Sequence, residues 1–127
     1  KNIDPKLLVM ETNFIPRFQS HINQSKHMFV ISPLGNGLDC HRTWEALALG
    51  CVPIIKKSDL LAKFFDELPV LIVERWSDVT HDMLERAVQD ICASSFNMEK
   101  LMCDFWYKLI YPKEHRTDTC SHKIELN

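Results

Sequence analysis

No apolar run in these 127 residues approaches the roughly 18 needed to cross a bilayer as a helix. A basic surplus is missing too. Fifteen Lys and Arg stand against seventeen Asp and Glu, a formal charge of −2, and the cations gather in no block. Nucleic-acid-binding domains concentrate positive charge on one face, so DNA and RNA are set aside as partners. No internal repeat and no low-complexity stretch breaks the chain. No C-x-x-C pair occurs, and five cysteines, at 40, 51, 92, 103 and 120, are an odd count. Both features argue against a closed disulfide framework. The chain opens on neither Met nor a signal-peptide pattern, which is expected of a piece of a longer protein or of a processed form.

What is present reads as an ordinary globular chain. Apolar residues make up 46% and charged residues 25%, enough for one domain over 1–112 with a single core. A polar tail over 113–127 has little to bury. Cys51, Cys92 and Cys103 stand among apolar neighbours and are expected to behave as small buried hydrophobes. His115, Cys120 and His122 match no zinc-ligand spacing, and no metal site is expected.

Three runs read as strands: Met28 to Ile31, Val52 to Ile55 and Val70 to Val73. Each is short, almost wholly apolar and rich in β-branched residues, the pattern of a parallel sheet covered on both faces. Pro53 fits such a run at a strand start or an edge. Helical periodicity fills the intervals. Phe14, Ile15, Phe18 and Ile22 share a face before the first strand, and residues 40–49 form a helix that Gly50 can close. Trp44, Leu47 and Ala48 are expected to pack that helix on the sheet. Ser58 or Asp59 is placed to cap a helix carrying Leu60, Leu61, Phe64 and Phe65. Met83, Leu84, Ala87, Val88 and Ile91 make one apolar stripe, expected in the core. Met98, Leu101, Met102, Phe105, Trp106, Leu109 and Ile110 make another, with Asn97 as cap and Pro112 as stop. Alternation of strand and helix predicts right-handed βαβ units in an α/β domain with a small parallel sheet.

Ligands of open parallel sheets bind beyond the carboxyl ends of the strands. There the chain reads Ser32 to Asp39, then Lys56 to Asp59, then Glu74 to Asp78, polar in all three places. The first is the most informative. Gly35 and Gly37 can take positive φ and admit a ligand close to the backbone. Asp39 is placed to cap the next helix, whose free N–H groups attract an anion. Arg42 and Glu45 stand one turn apart on a shared face, the first able to grip a diphosphate and the second the hydroxyls of a ribose. The plain alternative is an intrahelical ion pair worth about 0.3–0.5 kcal/mol. Lys56 and Lys57 are candidates to neutralise a departing diphosphate, and His41 is read as structural.

The stretch FVISPLGNGLDCHRTWEALALGCVPII, residues 29–55, resembles the donor-binding segment of exostosin-like glycosyltransferases of family 47, and related glycosyltransferases of algae and large viruses. Their form is a strand, S-P-x-G-x-G, R-x-x-E-A, then G-x-x-P. Here it is matched by Ser32-Pro33, Gly35, Gly37, Arg42, Glu45-Ala46, Gly50 and Pro53. LPVLIVERWSDVT, residues 68–80, resembles the family's next strand and loop, and the likeness spans roughly residues 14–92. The resemblance implies a Rossmann-like three-layer domain, the carboxyl-terminal half of a GT-B transferase. Such a half holds a nucleotide-sugar, UDP-linked in the expected case, while the second half brings the acceptor, a glycan or glycoprotein, and the catalytic base. Arg42 would then hold the diphosphate and Glu45 the ribose, with Ser32, Gly35, Asn36, Gly37 and Lys56 completing the site. GT-B enzymes work without a metal, and no obvious D-x-D motif is present. Asp39-Cys40 departs from the pattern, since several exostosin-like members carry small residues such as Ser there. A cellular exostosin-like enzyme belongs in the Golgi lumen, and a viral or algal one in the cytoplasm. Two rivals remain: a nucleotide-sugar-binding module without turnover, and a response-regulator-like interaction domain. The latter needs acidic residues where Ser32-Pro33 stands.

Overall fold

The computed structural model describes residues 3–37 and 39–111. Its regular elements are α1 (Arg17–Gln24), β1 (Phe29–Ile31), α2 (His41–Ala48), β2 (Val52–Lys56), α3 (Asp59–Phe65), β3 (Leu71–Val73), α4 (His81–Ala93) and α5 (Cys103–Ile110). Three 3-10 turns, Pro5–Leu7, Trp76–Asp78 and Met98–Leu101, complete them. The protein is mixed α/β, with an open parallel sheet in the order β1-β2-β3. That architecture is compatible with a Rossmann-like fragment. The described residues gather into two compact units, the first ending at Asn97 and the second beginning at Met98. The tail of 113–127, the stop at Pro112, and His115, Cys120 and His122 lie outside the described residues, as does Leu38.

All three expected strands form, each within two residues of its expected ends. Register sets their faces. Phe29, Ile31, Ile54, Leu71 and Val73 alternate onto one side of the sheet, where they pack with Ile3, Val79, Met83 and Leu84. α2 packs on β2, burying Ala46 and Leu47, and α3 buries Leu61 and Phe65. Trp44 meets Phe65 with ring centroids 5.3 Å apart. Ala48, by contrast, is exposed, and Thr43 takes the buried place instead. Pro53 is the second residue of the central strand, not of an edge. Val52 donates to Met28 on the β1 side, so the donor that Pro53 lacks would point to the β3 side. Its position lies one residue ahead of the Ile54–Leu71 pair that opens the second ladder, so no ladder bond is lost.

Gly50 closes α2 as expected. Its φ is 77°, its N–H donates to Leu47 O at 3.0 Å, and the Cys51 N–H reaches Ala46 O at 2.9 Å. That pair of bonds is the Schellman arrangement, which needs a residue free to turn left-handed. Thr80 caps α4 by accepting from the Met83 N–H at 3.3 Å. Ser58 stands at the N-cap of α3 without a side-chain bond.

Several other apolar residues lie open to solvent. Phe14 is fully exposed, since Pro16 starts α1 and keeps the residues before it out of the helical region, and Phe18, within α1, is 76% exposed. In the second unit Met98, Met102, Leu109 and Ile110 are exposed. One 3-10 turn and one eight-residue helix, capped by Met102 and not Asn97, offer too little surface to enclose that stripe. Cys51 is buried as expected, yet Cys92 and Cys103 are exposed.

Candidate functional site

The carboxyl ends of the strands carry the polar segments that the sequence places there. Most of their charges are already paired. Lys57 Nζ donates to Glu74 at 2.6 Å, and that contact pushes the lysine up from its ordinary pKa. Arg75 pairs with Asp78 at 3.1 Å. Two cations are left over. Lys56 ends β2 exposed, and Arg42 sits half-buried in the first turn of α2. Neither has a hydrogen-bond or ion-pair partner among the described residues. An unpaired guanidinium that is partly withdrawn from water is costly, and an anion relieves that cost.

The loop between β1 and α2 is braced from within. Ser32 is buried, its N–H donates to Ile54 O at 2.9 Å, and its hydroxyl meets the Thr43 hydroxyl at 2.8 Å. This ties the end of β1 to α2. Ser32 therefore holds the loop and does not present its hydroxyl to the rim. Gly35, Asn36 and Gly37 follow, all exposed. Neither loop glycine has positive φ; among the described glycines Gly50 alone does. A Cβ at Gly35 would meet Cys40 Sγ at 3.8 Å, and at Gly37 it would meet Asp39 O at 3.7 Å, both ordinary contacts. The loop's own packing thus demands a glycine at neither place.

Asp39 does not cap α2. Its carboxylate accepts the Trp44 indole N–H, at 3.1 and 3.0 Å, and Cys40 takes the N-cap position with no side-chain bond. The carboxylate is drawn to the indole and does not occupy the first-turn donors. The first-turn N–H groups keep their positive end of the helix dipole without a carboxylate cap.

Arg42 and Glu45 diverge. No Arg42–Glu45 ion pair forms among the described residues. Arg42 lines a cavity of about 700 Å³ together with Pro33 of the glycine loop. Glu45 turns to α1, where its carboxylate accepts from Arg17 and lies 3.6 Å from His21 Nε2. That imidazole nitrogen is buried and has no hydrogen bond. Arg17 and His21 are one turn apart on α1, so both reach the same carboxylate. Sequence reasoning missed this pair; their signal is the i, i+4 spacing of two basic groups, which says nothing about which helix they face.

His81, Asp82 and Glu85 bring possible metal-binding atoms within 4.8 Å of one another on α4. All three are exposed, and Asp82 there complements the helix dipole, so surface electrostatics account for the group. The chain matches no protein-family model and no curated protein.

Proposed function

We propose that this chain is the donor-binding half of a glycosyltransferase of GT-B type, taking a nucleotide-sugar whose diphosphate lies between the 32–37 loop and the first turn of α2. The observation that carries the reading is Arg42. It is half-buried, unpaired among the described residues and beside Pro33, at the carboxyl end of β1 where open parallel sheets bind ligands. Uncapped N–H groups of α2 and the exposed Lys56 add positive potential to the same rim. Stabilising a departing diphosphate with fixed dipoles and cations is the electrostatic form of catalysis, and it requires no metal. Glu45 holds the ribose in this reading once it exchanges Arg17 for the two hydroxyls. A UDP-linked donor, a glycan or glycoprotein acceptor and a second half that supplies the base complete the proposal.

A second reading is a nucleotide-sugar-binding module that turns over nothing by itself, because the sequence offers no obvious general base beside the loop. Calorimetry with UDP and UDP-sugars tests the first reading. Binding that falls at least tenfold in both Arg42→Ala and Glu45→Ala supports it, and binding unchanged in both removes the site. Sugar release from the donor by this chain by itself would set the second reading aside.

A further inference from the structure

The cavity that Arg42 lines is larger and more apolar than a diphosphate needs. At about 700 Å³ it lies within the range of small-molecule sites. Its wall is built from Leu7 of the Pro5–Leu7 turn and Leu8 after it, Phe29 and Ile31 of β1, Ile54 of β2 and Leu84 of α4. Four polar side chains interrupt it: Glu11, Gln24, His27 and Arg42. Glu11 is engaged by the Asn23 amide, and His27 is exposed. Gln24 donates to Ser20 Oγ at 3.2 Å, while its carbonyl oxygen is buried without a partner. Arg42 is the one guanidinium or ammonium group among the lining residues.

A nucleobase and a sugar carry many polar atoms, and this wall offers few partners for them; burying them unpaired is unfavourable. An aliphatic chain has no such need. We propose that the cavity binds a phosphate monoester of a single aliphatic chain, its phosphate on Arg42 and its chain along the wall made by β1, α4 and the N-terminal turn. The planar guanidinium suits two phosphate oxygens at once. Burial of the chain provides the rest of the affinity. This site shares Arg42 with the donor reading and otherwise stands apart from it, so UDP and an alkyl phosphate compete for the same guanidinium.

The test is a chain-length series on the 127-residue protein. Inorganic phosphate, hexyl, octyl and decyl phosphate, and octanol are titrated by calorimetry below micelle-forming concentrations. Affinity rises about fourfold for each added methylene, or about fifteenfold for each pair, as expected from the transfer free energy of a CH₂ group. Arg42→Ala weakens octyl phosphate at least tenfold and leaves octanol unchanged. Leu8→Trp, which fills the wall, weakens the alkyl phosphates and spares UDP. Val9→Trp, at an exposed lining position, serves if the first variant does not fold. An affinity equal from hexyl to decyl phosphate overturns the proposal, as does an octyl phosphate affinity indifferent to Arg42→Ala. A rising series with no UDP binding removes the donor reading and keeps this one. UDP binding with a flat series does the reverse.

Discussion

The Glu45 carboxylate is held by Arg17 of α1, not by Arg42 one turn ahead of it on its own helix. Helical spacing puts residues 42 and 45 on neighbouring turns, and each side chain then follows its nearest complement. For Glu45 that complement is the basic pair of α1. Arg42 finds no such complement among the described residues and lines the cavity beside β1, whose one carboxylate, Glu11, accepts from the Asn23 amide.

Arg17→Ala separates the two roles of Glu45. The Arg17 side chain is 70% exposed, and ion pairs so open to solvent contribute about 0.2–1 kcal/mol. Denaturant unfolding should therefore show a loss no larger than about 1 kcal/mol. If Glu45 receives the ribose, freeing it tightens UDP binding in calorimetry. Weaker binding in this variant would put Arg17 itself among the ligand contacts.

Gly35→Ala tests the loop. With a non-positive φ and Cys40 Sγ at 3.8 Å from the added Cβ, the substitution is sterically open. Stability should stay within about 0.5 kcal/mol of the parent, or rise slightly as the unfolded chain loses freedom. A ligand whose phosphates approach the loop backbone meets the new methyl group. Thermal unfolding unchanged and nucleotide affinity reduced is the expected pair of results; unchanged affinity removes Gly35 from the site.

Ser32 and Thr43 form a buried couple that a double-mutant cycle can isolate. Ser32→Ala leaves the Thr43 hydroxyl buried without its partner and should cost about 1–3 kcal/mol. Thr43→Val does the same to Ser32. The double variant should cost less than the sum of the two, since both polar groups are gone. Strict additivity in urea unfolding would mean that the hydroxyls do not depend on each other.

The thiols divide by burial. Cys92 and Cys103 should react quickly with a thiol reagent at neutral pH, and Cys40 and Cys51 only as the protein opens, as mapped by mass spectrometry. Burial pushes the Cys51 thiol up from its ordinary 9.0. The folded state thus holds this proton more tightly than the unfolded chain does. Its contribution to stability is complete below 9.0 and is lost as pH rises through the higher, folded value. Cys51→Ala should flatten that alkaline decline in a stability profile; an identical profile in the variant would assign the decline elsewhere.

Much of the frame was legible from residue order. Runs such as VPII and LIV become strands because β-branched apolar residues suit a buried pleated surface, and Gly50 ends α2 because it alone tolerates the left-handed turn there. Burial was less legible. Phe14 and Phe18 have helical spacing, yet periodicity names a face without naming what covers it. Asp39 has the composition of a cap, and the indole of Trp44 took it because that donor lies five residues on, folded back over the turn.

Local sequence by itself determined the alternation of strands and helices, the glycine loop after β1 and the placing of Arg42 in the first turn of α2. These depend on backbone preferences and spacing within a few residues. Tertiary structure alone decided which distant partners the charges found: Arg17 for Glu45, Glu74 for Lys57, and none for Arg42 among the described residues. Electrostatic pairing depends on distance in space, and that distance is set only when α1, α2 and the strands pack.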